Sequence, residues 1–97
     1  MVLNSKVIAE SRPTYPKKAK EEKVQGSVVV RVRVDEEGKI YEATPCQGHT
    51  LLQHSSITAA KRTMLSPTVL SGSAVKVVGV LVYIFELSEE TGRLLKP

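Results

Sequence analysis

Ser27-Val28-Val29-Val30-Arg31-Val32-Arg33-Val34 places Val28, Val30, Val32 and Val34 on one face and Arg31 and Arg33 on the other. A period of two is the mark of a strand with one face in a core and the other in water. Asp35-Glu36-Glu37-Gly38 follows as a turn, with Gly38 free to take positive φ. Lys39–Thr44 returns as a second strand, stopped by Pro45, so the two form a hairpin.

Upstream of the hairpin, Pro13 and Pro16 bracket Thr14-Tyr15, and Pro is favoured at a helix start because its missing N–H is not needed there. The spacing predicts a short helix over Pro16–Lys23, ended by Gln25-Gly26. Downstream, Thr50 followed by Gln53 reads as a capping box. Leu52, Ser56, Ala59/Ala60 and Thr63/Met64 recur at helical spacing, which predicts a helix over Leu51–Met64 with Pro67 beyond it. Ala59-Ala60 allow that helix to approach a sheet closely.

After a turn at Ser71-Gly72-Ser73, Val75–Leu87 reads as one long strand. Val75, Val77, Leu81, Tyr83, Phe85 and Leu87 share one face around Gly79, and Val78, Val80, Val82 and Ile84 make the other face apolar too. At about 3.3 Å per residue it spans roughly 40 Å, more than either hairpin strand can match. Part of it should therefore present an unpaired apolar edge, which invites a partner strand. Ser88–Pro97 is a polar tail.

The chain has 97 residues, 41% of them apolar and 25% charged, which fits one soluble domain. With no Trp, three Tyr and one Phe, the core must be aliphatic. The single cysteine, Cys46, excludes an internal disulfide framework. No secretory signal pattern opens the sequence, and no apolar run approaches the ~18 residues of a membrane span. The formal charge is +4, unevenly placed: Met1–Val34 carry eight Lys/Arg against three acids, and the remainder is slightly acidic. A basic third of this kind suits nucleic acid, an anionic surface or an acidic protein segment, or serves as a solvated face.

Catalytic and metal chemistry find little support. Cys46, His49 and His54 offer three candidate ligands where a structural zinc site wants four, and no acid stands near to orient a Cys–His pair. His49 reads as a capping or turn residue. No phosphate loop or hydrolase motif occurs, and no cofactor is implied. A nucleic-acid module could use Arg31, Arg33 and the lysine-rich helix, but Tyr41 and Tyr83 alone make a poor stacking platform.

The ordered set of motifs resembles the C-terminal domain of TonB, the energy transducer of Gram-negative envelopes. Pro13-Thr14-Tyr15-Pro16 with Ala19, Gly26–Val34 with Asp35, and Gly38-Lys39-Ile40 carry the first half of the resemblance. Gly48-His49, Leu51-Leu52, Ala59-Ala60, Ser66-Pro67, Gly72 and Val82-Tyr83-Ile84-Phe85 carry the second. Thr63-Met64-Leu65 replace an aromatic-basic-aromatic triplet frequent in the family, and Cys46-Gln47 replace small residues. The resemblance covers Arg12–Leu87, giving an arm over 1–11, a domain over 12–87 and a tail over 88–97. It implies an α+β fold, two helices packed on a three-stranded antiparallel sheet.

The resemblance also implies a non-enzymatic periplasmic domain that grips the plug peptide of an outer-membrane receptor by strand addition. An inner-membrane motor of the ExbB/ExbD type would supply the load through other parts of the parent protein. Arg12, Pro13, Thr14, Tyr15 and Pro16 match the family's receptor-contacting stretch, and Lys18 matches a basic position facing acidic plug residues. The edge for the added strand would be Val78, Val80, Val82 and Ile84. A homodimer through that edge, or cover by the tail, would compete. A TolA-like envelope role and nucleic-acid binding are the alternatives.

Overall fold

The structure is a computed structural model that describes residues 1–87. In chain order its elements are a 3-10 turn (Asn4–Lys6), β1 (Val7–Ala9), α1 (Lys17–Glu21), β2 (Gly26–Val34), β3 (Ile40–Gln47), α2 (Thr50–Lys61), β4 (Met64–Leu65), β5 (Thr68–Leu70), β6 (Ser73–Val75) and β7 (Val77–Phe85). The main sheet is three-stranded and antiparallel, ordered β3-β2-β7. Two short pairs, β1-β4 and β5-β6, lie beside it. This is the expected α+β arrangement. No helix among the described residues is long and apolar enough to cross a membrane.

The valine alternation works as read. Val28, Val30, Val32 and Val34 are buried, and Arg31 is exposed. They meet Leu52, Ala59 and Ala60 of α2 in a single core with Leu65, Leu81 and Phe85. Inside α2, the buried Ser56 hydroxyl donates to the Leu52 carbonyl at 2.8 Å, so its polarity is satisfied within the helix.

The hairpin turn depends on its glycine. Gly38 has φ +87°, and a Cβ there would overlap the Leu65 carbonyl oxygen. The close approach is structural, because Leu65 N–H donates to the Gly38 carbonyl at 3.0 Å. Asp35 Oδ1 accepts from the N–H groups of Glu37 and Lys39, both at 2.9 Å, and holds the turn from inside.

Several expected boundaries are corrected. Pro45 does not stop β3; it sits inside the strand opposite Val30, at a break in register between Val29 and Val30. An outer strand tolerates this, because a missing N–H costs no ladder bond on its free side. The α2 cap is His49, whose Nδ1 accepts from Leu51 N–H at 3.1 Å, while Gln53 donates to the Gly48 carbonyl at 2.9 Å. The Thr50–Gln53 capping box is therefore not formed, the cap lying one residue earlier, and the helix ends at Lys61 rather than Met64. α1 is shorter than expected.

The long strand is two elements. β6 pairs back on β5, Lys76 breaks the run, and β7 then matches β2 residue for residue from Val77↔Val34 to Phe85↔Gly26. An overhang thus does not create the unpaired edge; β7 is open because it is the outermost strand. Cover of that edge by Ser88–Pro97 falls outside the described residues.

Candidate functional site: the outer edge of β7

Along β7 the odd-numbered side chains enter the core: Leu81, Tyr83 and Phe85 are buried. The even-numbered ones, Val78, Val80, Val82 and Ile84, lie on the sheet face away from the core, Val78 and Ile84 being exposed. In a strand, side-chain direction and hydrogen-bonding direction alternate together. The same four residues therefore aim their N–H and C=O groups away from β2. The four positions expected to receive a partner strand are those whose backbone faces outward.

That edge is partly taken by the chain itself. Val80 N–H donates to the Met1 carbonyl and Leu3 N–H donates to the Val80 carbonyl, both at 2.8 Å, giving a parallel bridge between Val2 and Val80. One residue farther on, the Asn4 side-chain amide replaces a backbone unit. Its Oδ1 accepts from Val82 N–H at 2.9 Å, and its Nδ2 donates to the Val82 carbonyl at 2.8 Å. Leu3 is fully buried over Gly79, where a Cβ would come within 2.7 Å of the Leu3 side chain and of the Met1 carbonyl oxygen. Sequence reasoning missed this contact. Its signal was a glycine inside an apolar strand, which often marks close approach of another backbone, together with the short apolar run Met1-Val2-Leu3.

The second group of expected site residues lies around the entry to α1. Tyr15 is buried, its ring meets Phe85 edge-to-face at 5.2 Å, and its hydroxyl donates to the Val24 carbonyl. Burial raises its phenol pKa. Tyr15 thus ties the segment to the C-terminal end of β7. Pro13 is buried, while Arg12, Thr14 and Lys18 are exposed. Arg12 and Thr14 border a shallow cleft of about 210 Å³ against His54, Thr58 and Arg62. Arg12 lies 3.6 Å from Glu10, and Lys18 lies 3.2 Å from Glu22. The two expected groups are therefore joined only indirectly, by the buried Tyr15 on the core-facing Phe85, and do not form one continuous surface.

The remaining candidates separate. His49 caps α2, His54 is exposed on that helix and Cys46 is exposed on β3. Among the described residues no three potential metal ligands cluster. Arg33 is held by Glu42 at 2.6 Å, and that bond and charge raise its pKa.

Comparison with known protein families gives one match: the family model described as Gram-negative bacterial TonB protein C-terminal covers residues 11–87. No curated protein matches the chain.

Proposed function

The chain belongs to the Gram-negative bacterial TonB C-terminal family, and from that footing we propose that it is the periplasmic grip of an energy transducer. A receptor's N-terminal plug segment adds to β7 as a fourth strand. A pull originating at an ExbB/ExbD-type inner-membrane motor then passes through the strand pair to the plug. The observation that carries this reading is the β7 edge: regular, apolar, with Val78, Val80, Val82 and Ile84 presenting backbone groups outward.

Strand addition suits the task physically. Main-chain bonds supply affinity with little demand on sequence, and side-chain pockets supply selectivity. Bonds lying across a pulled strand share the load rather than breaking in turn. Arg12, Thr14 and Lys18 lie beside Tyr15 in sequence, whose ring touches Phe85, and they would meet the acidic part of the plug segment. The charge of Arg12 and Lys18 aids encounter and orientation more than final affinity.

The test is an NMR titration with peptides spanning receptor plug N-termini. Backbone amides of Val78–Ile84 should shift, together with those of Arg12–Pro16. Titration that moves neither region with any such peptide would sink the receptor reading.

A further inference from the structure

Resting on that reading, we infer that Met1–Asn4 is a built-in stand-in for the strand that β7 receives. It closes the edge at rest, and an incoming strand replaces it. That strand runs parallel to β7, seats an aliphatic side chain over Gly79 in place of Leu3, and carries a hydrogen-bond acceptor two residues later, facing the Tyr83 hydroxyl.

The direction follows from the bonds. Val80 is bonded to Met1 and to Leu3, the residues on either side of Val2, which is the parallel pattern. The aliphatic anchor follows from Gly79, whose missing side chain leaves the space that Leu3 fills completely. The arm is also an incomplete strand. After Leu3 it turns away, with Lys6 N–H donating to the Leu3 carbonyl at 2.9 Å, so only a side-chain amide reaches Val82. Among the described residues nothing bonds the outward backbone groups of Ile84.

Below that turn lies a cavity of about 420 Å³ bordered by Asn4, Val7, Ile8, Thr63, Leu81 and Tyr83. Tyr83 is 6% exposed, and among the described residues its hydroxyl makes no hydrogen bond of good geometry. Thr63, the polar neighbour that tempers its raised pKa, has committed its own proton to the Ala59 carbonyl. A strand that stayed extended past the anchor would continue along Val82 and Ile84. Its second side chain after the anchor would point to the core face, over the cavity. It would complete bonds that the arm leaves open, so an external strand can displace a covalently tethered one. In the arm's own sequence that second position is Ser5, which stands exposed outside this arrangement.

The experiment uses the full chain carrying Leu3→Asp and a blocked synthetic peptide with the sequence of Met1–Lys6. In the unmodified protein the Val80 and Val82 amides should exchange slowly. In Leu3→Asp they should exchange about ten- to a hundredfold faster, the factor expected from losing one buried leucine, with native shifts kept at Val30 and Val32. The peptide should bind Leu3→Asp at least about tenfold more tightly than the unmodified chain, because a closed site reduces apparent affinity by its open fraction. Replacing the peptide's leucine by aspartate should abolish binding. Replacing its serine by alanine should weaken binding to Leu3→Asp but not to Leu3→Asp/Tyr83→Phe.

Equal exchange at Val80 and Val82 in both proteins, or equal peptide affinity, overturns the closure; a serine effect that survives Tyr83→Phe overturns the acceptor. Should Leu3→Asp lose its native shifts, Asn4→Ala takes its place, and an unchanged Val82 exchange rate overturns the proposal. Dimerisation of Leu3→Asp through these amides, with the unmodified chain monomeric, upholds the closure. A plug peptide that binds both proteins equally overturns the closure and leaves the receptor reading standing. A plug peptide that binds neither, while the arm peptide binds Leu3→Asp, removes the receptor reading alone.

Discussion

The outer edge of β3 and the outer edge of β7 flank the same central strand and are protected in different ways. β3 carries Pro45, two breaks in register against β2, and Glu42 within its exposed stretch. Proline, irregular pairing and charge are the usual means by which a strand discourages a neighbour. β7 has none of these over Val77–Phe85: its pairing with β2 is unbroken and its side chains are apolar. Its cover is instead the backbone of Met1–Leu3 and the amide of Asn4. A blunted edge on one side and, on the inference above, a displaceable cover on the other is the asymmetry expected of a sheet that receives one strand at one place.

The comparison breaks most severely where β3 is anchored. Gly38→Ala must relieve an overlap with the Leu65 carbonyl and hold alanine at φ +87°. Backbone strain together with a broken close contact belongs among the largest single-site effects, so the loss should be about 3 kcal/mol or more. Urea unfolding followed by far-UV circular dichroism measures it; a midpoint matching that of the parent would mean the turn is not rigid. Next in size is Val82→Pro, on the other edge. The Val82 N–H points away from β2, toward Asn4 Oδ1, so proline removes no bond within the sheet. It should cost about 1–2 kcal/mol of stability and raise the Kd of an added strand by about tenfold or more. Calorimetric titration that finds an unchanged Kd would place the strand elsewhere.

A third effect sharpens the comparison through pH. Burial is the main reason that the Tyr83 phenol pKa lies above its ordinary value of 10.0; the Glu10 charge adds to the rise and Thr63 opposes it. The unfolded chain therefore loses that proton first as pH rises. Tyr83 contributes no pH dependence well below pH 10, and stability falls from there upward until the folded-state pKa is passed. Tyr83→Phe should flatten this alkaline loss in part, since the raised phenol of Tyr15 remains. At neutral pH it should leave stability unchanged or higher by up to about 1 kcal/mol, because an unbonded buried hydroxyl is removed. Melts from pH 7 to 11 would show this, and an identical alkaline slope would count against it.

How much of this was legible in the sequence differs by element. The alternating valines gave β2 its core face outright, since period two in a run of β-branched residues has one reading. The even-numbered residues of β7 could be named as edge positions from the same alternation. What resisted reading was pairing at a distance. That Pro45 lies within β3 depends on β3 being outermost, a property of the sheet and not of the local sequence. That Lys76 breaks the last run depends on β5 lying within reach of β6. The Leu3–Gly79 contact joins residues 76 apart in sequence, and a glycine announces that something comes close without saying what.

The smallest effect concerns charge near the α1 end of the site. Lys18 has its side chain 66% exposed and 3.2 Å from Glu22 one helical turn away, so it is already partly neutralised at short range. If it acts on a plug segment at all, it does so through the long-range field of the basic first third of the chain, which salt screens within about 8 Å at physiological strength. Lys18→Ala should therefore slow association no more than about twofold to threefold at low salt, have no effect near 0.5 M salt, and leave the dissociation rate unchanged at both. Stopped-flow measurements separate the two rates. A faster dissociation in Lys18→Ala would instead mean a fixed ion pair in the complex. Lys18 would then belong to the grip together with Val80 and Val82, and the β7 edge would extend past Phe85 onto α1.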